Sequence, residues 1–121
     1  MKLTDYIKDV GRAIAYFPNL KYVTGSTTAT ILLCQFLYWT DKTEDGWIRK
    51  NSFDIEEETG LTYNEQRTAR KHLVNTGLIE EQQEKLDHRI KFRVNQDELN
   101  RLWEEVGGET IKKIKTKREQ R

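Results

Sequence analysis

The residues best suited to chemistry in this chain are not those of an enzyme. His72 and His88 are the only histidines and Cys34 is the only cysteine, and no cysteine neighbours either histidine. The sequence contains no glycine-rich phosphate loop and no His-Glu-x-x-His pair. Cys34 sits among Leu32, Leu33, Phe36 and Leu37, where a thiol serves as a small hydrophobe. Glu56, Glu57 and Glu58 are adjacent, so on a helix they splay around the axis instead of converging, and a solvated face is expected. Neither an intrachain disulfide nor a cysteine-based zinc site is possible with one cysteine, and no metal, cofactor or catalytic activity is expected.

What remains is the chemistry of polar recognition. Asn64 and Arg67 fall near the start of a predicted helix, with Tyr63, Thr68 and Lys71 exposed beside them. A bidentate amide suits adenine and a guanidinium suits guanine, so these five residues are candidates for reading base edges. Arg89, Lys91 and Arg93 alternate on one face of a predicted strand, and with Ser52, Lys85 and His88 they are candidates for phosphate contacts.

The elements that must position these groups follow from caps, glycines and hydropathy period. Thr4 to Val10 reads as a short helix ended by Gly11, with a continuation through Phe17 as the alternative. Arg12 to Phe17 reads as extended, and Pro18 opens a short helical turn. Ser26 caps a helix over Thr27 to Thr40 that is apolar almost all round, which suits the centre of a core or a subunit interface. A polar turn leads to a short strand at Trp47-Ile48-Arg49. Asn51 or Ser52 then caps a helix over Phe53 to Thr59 with Phe53 and Ile55 as apolar anchors. Gly60-Leu61-Thr62 ends it, and the Thr62-x-x-Glu65 capping box starts a helix over Tyr63 to Asn75 whose buried stripe is Gln66, Ala69 and Leu73.

After Gly77 the period changes to two. Leu78 to Gln82 and Arg89 to Val94 are predicted strands around a turn at Lys85 to His88, with Ile90, Phe92 and Val94 facing inward. Leu33, Leu37, Ile55, Leu61, Ala69, Leu73, Ile79, Ile90 and Phe92 form the expected core. A last helix over about Asp97 to Val106 is expected to end at Gly107-Gly108. Residues 1–108 then form one domain, and residues 109–121 a basic tail expected to be mobile.

Helix, short strand, two helices across a tight turn, then a hairpin is the order of a winged helix-turn-helix, α+β and mainly α. It carries an extra N-terminal helical segment and a C-terminal helix. In such a module the second helix of the turn enters the major groove. The chain has 121 residues, 34% of them charged, with a net charge of +1. That total hides local balances of −2 over residues 1–60, +2 over 61–95, −4 over 96–111 and +5 over 112–121. Local patches, not the total, govern encounter with a polyanion.

Gly46-Trp47-Ile48, the run from Ile55 to Thr62, Gln66-Arg67-Thr68-Ala69-Arg70, Leu73 and Gly77-Leu78-Ile79-Glu80 together resemble winged-helix domains of phage and plasmid replication proteins. Gly25-Ser26 with Gln35-Phe36-Leu37-Tyr38-Trp39 is similar to the segment preceding the helix-turn-helix in that group. The resemblance covers roughly residues 12 to 103. It implies double-stranded DNA as partner and a role in replication initiation or replisome organisation. Contacts to other replication proteins through a second domain are also implied, so the chain is either a fragment or a stand-alone version. A homodimer or higher oligomer is expected, because paired half-sites require two modules. The alternatives are an oligomerisation or docking module without DNA readout, and a transcriptional regulator. No apolar stretch is long enough for a membrane span and the first eleven residues hold no secretory signal, so a cytoplasmic location is expected.

Overall fold

The computed structural model describes residues 2–87 and 89–120. Pro18, with its fixed φ, opens a 3₁₀ turn over Pro18–Leu20 that passes into α1, Lys21–Thr24. Gly25 ends α1 at φ 77°, a left-handed conformation that disfavours other residues. Ser26 then accepts the Ala29 amide at 3.2 Å and starts α2, Thr27–Thr40. Asn51 and Asp54 cap α3, Ser52–Thr59, and Thr62 and Glu65 cap α4, Tyr63–Asn75. Strands β1, Ile79–Gln83, and β2, Ile90–Val94, pair antiparallel with Glu80 opposite Arg93 and Glu81 opposite Phe92. Helices α5, Gln96–Leu102, and α6, Gly108–Glu119, follow. The class is α+β, mainly helical, with one two-stranded antiparallel sheet.

α2 occupies the centre and packs on α1, α3, α4 and β2. Its Leu32, Leu33 and Phe36 are buried with Ile48, Ile55, Leu61, Ala69, Leu73, Leu78, Ile79 and Phe92. Each such large side chain contributes about 1.5–3 kcal/mol on burial. Phe36 and Phe92 stack with centroids 4.9 Å apart, which fixes the hairpin against α2. His72, near the end of α4, is hydrogen-bonded through Nε2 to the Thr24 carbonyl. A carbonyl only accepts, so Nε2 carries the proton, and this bond ties α1 to α4. None of the described helices is long and apolar enough to cross a membrane.

Several expectations need correction. Thr4 to Val10 is not one helix but two 3₁₀ turns, Leu3–Asp5 and Ile7–Val10. Leu3, Ile7 and Val10 all remain exposed there, and so short a helix lacks the packing that would offset its nucleation cost. The break at Gly11 is present, and residues 12–17 form neither helix nor strand. Trp47-Ile48-Arg49 is reduced to one bridge between Ile48 and Phe92, with amide-to-carbonyl distances of 2.7 and 2.9 Å. Phe53 is no core anchor, being 75% exposed. Positions two apart on a helix point to nearly opposite sides, and Ile55 takes the inward one. Leu37 is only partly buried and Ile90, at the far end of the hairpin, is exposed. The helix after β2 does not stop at Gly107-Gly108. It passes through a π turn, Trp103–Gly107, into α6, because Gly108 takes ordinary helical angles of −62° and −43°. The segment expected as a mobile tail is therefore helical through Glu119.

Candidate nucleic-acid interface

The turn between α3 and α4 is held from both sides. Gly60 at φ 78° donates its amide to the Glu56 carbonyl at 2.7 Å, and Leu61 is buried beneath the turn. Thr62 accepts the Glu65 amide at 3.3 Å while the Glu65 carboxylate accepts the Thr62 amide at 3.0 Å. Gln66, though polar, is buried in the stripe with Ala69 and Leu73. Its Nε2 donates to the Ser52 carbonyl at 2.9 Å and the Leu61 carbonyl at 2.8 Å, joining α4 to the start of α3 and to the turn. Its Oε1 is buried without a partner among the described residues, which costs about 1–3 kcal/mol.

This frame presents Tyr63, Asn64, Arg67, Thr68 and Lys71 on the exposed side of α4. Among the described residues Arg67 and Lys71 enter no ion pair, so both charges are available to a ligand. Arg70 differs. It lies 5.1 Å above the Phe92 ring and binds Glu81 at 2.7 Å, so it covers the core as an intramolecular partner.

The residues assigned to phosphate divide. Ser52 and Arg89, with Tyr63 of the base-reading set, line one cavity between α3, α4 and the hairpin. Lys91 and Arg93 lie elsewhere, each 4.5 Å from the centroid of the Trp47 ring. Trp47 reaches them because the Ile48–Phe92 bridge sets it beside β2. Arg89 stands outside β2 and keeps only a loose approach of 3.7 Å to Asp87. Lys85 is exposed in the turn, and His88 lies outside the described residues.

A row of carboxylates holds arginines back; sequence reasoning reached Arg70 over the core stem, paired with Glu80 or Glu81, and missed the pairs of Arg93 and Arg49. Glu80 binds Arg93 at 2.6 Å, Glu81 binds Arg70 at 2.7 Å and Glu84 binds Arg49 at 2.8 Å. Arg49 also pairs with Asp45 at 2.9 Å, and that hydrogen bond holds the Asp45 carboxyl down at about 2. Which of Glu80 and Glu81 meets Arg70 is decided by strand register, which sets Glu80 opposite Arg93. Glu58 is a second omission. Glu56 and Glu57 are exposed as expected, but Glu58 accepts from Gln35 at 2.6 Å and Trp39 at 2.5 Å, and pairs with Lys50 at 3.0 Å. Burial pushes its carboxyl up, yet the hydrogen bonds from Trp39, Gln35 and Lys50 outweigh that and hold it below the usual carboxylate value.

Cys34 is buried and its Sγ accepts the Phe17 amide at 3.4 Å. Burial raises the thiol above its ordinary value despite that bond, the opposite of what a nucleophile needs. Among the described residues no three His, Cys, Asp or Glu side chains gather to hold a metal ion. Compared with protein-family models, curated proteins and solved structures, the chain matches none.

Proposed function

We propose that the chain is a winged helix-turn-helix protein that binds double-stranded DNA without enzymatic activity, reading bases through α4. The observation that carries this reading is the outer side of α4: a capped first turn followed by Asn64, Arg67, Thr68 and Lys71, all exposed, with both cations unpaired among the described residues. A helix so mounted fits the width of the major groove, with its N-terminal residues nearest the bases. The hairpin supplies Arg89, Lys91 and Arg93 for the backbone, and the Ile48 bridge serves as the short third strand of a wing. A role in phage or plasmid replication initiation, inside the cytoplasm and with other replication proteins as partners, follows from the sequence resemblance. Selection of bound fragments from a random duplex library, using the purified chain, tests DNA readout. Enrichment of a shared sequence supports it, and failure to enrich any sequence removes it.

A second reading has its own observation. Glu80 and Glu84 neutralise Arg93 and Arg49 at the hairpin, as in a winged helix that docks onto protein. Under either reading two modules act together, and sedimentation at high concentration, with and without duplex, tests the dimer. A strict monomer in both conditions ends that part of the proposal.

A further inference from the structure

Two features of opposite charge take no part in groove reading by α4. The first is α6, a helix of 12 residues of which none is buried. It gains little from the tertiary packing that supplies most helical stability. Lys112, Lys113, Lys115, Lys117 and Arg118 are exposed on it, and among the described residues none of them enters an ion pair. Helical spacing puts Ile111, Ile114 and the stem of Arg118 on one stripe. Lys112 and Lys115 flank that stripe on one side, Lys113 and Lys117 on the other. Ile114 is 37% exposed.

The second is a groove of about 610 Å³ between residues 10–14, α2 and α3. Val10, Ala13, Ile14 and Tyr38 give it an apolar lining, and the exposed Glu57 stands at its edge. Glu56, also exposed, precedes it on α3, and among the described residues neither glutamate enters an ion pair. Glu58 adds no free charge there, because Lys50, Trp39 and Gln35 hold it. Arg12 is the cation of the lining, and α6 carries Glu109 and Glu119 towards its two ends to meet it.

A cationic helix with an apolar stripe and an apolar groove edged by unpaired carboxylates complement each other in shape and sign. We propose that α6 of one copy of this chain docks in the groove of a second copy. Ile111 and Ile114 enter the apolar lining, and the flanking lysines meet Glu56 and Glu57. The contact is heterologous, so each added copy brings one free groove and one free α6, and assembly does not stop at two. One helix in one groove is a small interface of the weak class, so association depends on concentration and falls with salt. This docking rests on the reading in which copies act together and is independent of base reading by α4.

The test is sedimentation of the full chain at high concentration, in low and in high salt, with charge-reversed variants. Glu56→Lys with Glu57→Lys reverses the groove, and Lys113→Glu with Lys115→Glu and Lys117→Glu reverses α6. All five positions are exposed, so thermal unfolding is expected to match wild type. Each variant alone is expected to associate at least roughly tenfold more weakly than wild type, because like charges then meet. Mixing the two restores opposite charges at every contact and is expected to restore association. Ile114→Ala keeps every charge, removes apolar area and is expected to weaken association several-fold. Wild-type association by either charge variant, or a mixture no stronger than its components, overturns the docking and leaves association through another surface standing. Wild-type association by Ile114→Ala overturns it as well. A strict monomer in wild type ends the docking and the association together, leaving base reading untouched. If the α6 variant loses duplex affinity and keeps its association, the occupant of α6 is DNA and the docking fails.

Discussion

Arg93 and Glu80 face each other across the hairpin, directly opposite in register and 2.6 Å apart. Both side chains are 45% exposed, so the pair adds at most about 1 kcal/mol to stability. Its larger effect is to cancel a positive charge on the hairpin. Glu80→Gln is therefore expected to leave unfolding within about 1 kcal/mol of wild type while raising duplex affinity several-fold at low salt. Fluorescence anisotropy across a salt series, beside urea unfolding, checks both halves. Unchanged affinity would place Arg93 away from the phosphates.

Leu61→Ala and Leu73→Ala remove side chains buried in the core and are each expected to cost about 2–5 kcal/mol. Phe53→Ala, at a position 75% exposed, is expected to cost under about 0.5 kcal/mol. Urea denaturation separates these outcomes cleanly. A large loss at Phe53 would mean that this ring is covered in solution.

Thr62→Ala removes the hydroxyl that accepts the Glu65 amide, with an expected loss of about 1 kcal/mol. Because Asn64 sits in the turn that this cap starts and Arg67 directly follows it, duplex affinity is expected to fall by more than the stability loss explains. Binding measured well below the melting midpoint tests that excess.

Much of this frame was legible because it is local. Ser26 and Thr62 announce α2 and α4, whose bounds at Thr27–Thr40 and Tyr63–Asn75 are those expected from the sequence. Gly25 and Gly60 mark the ends that need positive φ. Cross-chain contacts were not legible. The Ile48–Phe92 bridge brings Trp47 to Lys91 and Arg93, and no pattern near Trp47 records it. Gln66 reads as an intruder in an apolar stripe until the Ser52 and Leu61 carbonyls are seen to require its amide. The two glycines after Val106 signal a helix end, yet Gly107 closes a π turn and Gly108 opens α6.

Glu58 makes stability depend on acid. Its carboxyl titrates lower in the folded chain than the ordinary value of 4.5, so the folded state binds fewer protons over that interval and stability rises with pH there. The contribution is complete above 4.5 and is lost as pH falls through the lower folded value. Glu58→Gln is expected to flatten this part of the acid limb in melting curves taken from pH 7 to pH 3. An unchanged acid limb would mean that Trp39, Gln35 and Lys50 do not hold the carboxylate.

Base reading by α4 is tested most directly by comparing wild type, Arg67→Ala and Lys91→Ala on a selected duplex and a scrambled one across salt. Arg67→Ala is expected to lose about 1–3 kcal/mol on the selected duplex and to relax preference at one base pair. Lys91→Ala is expected to weaken both duplexes alike and to reduce the slope of log affinity against log salt by about one. Equal binding by all three proteins at moderate salt would contradict recognition through α4.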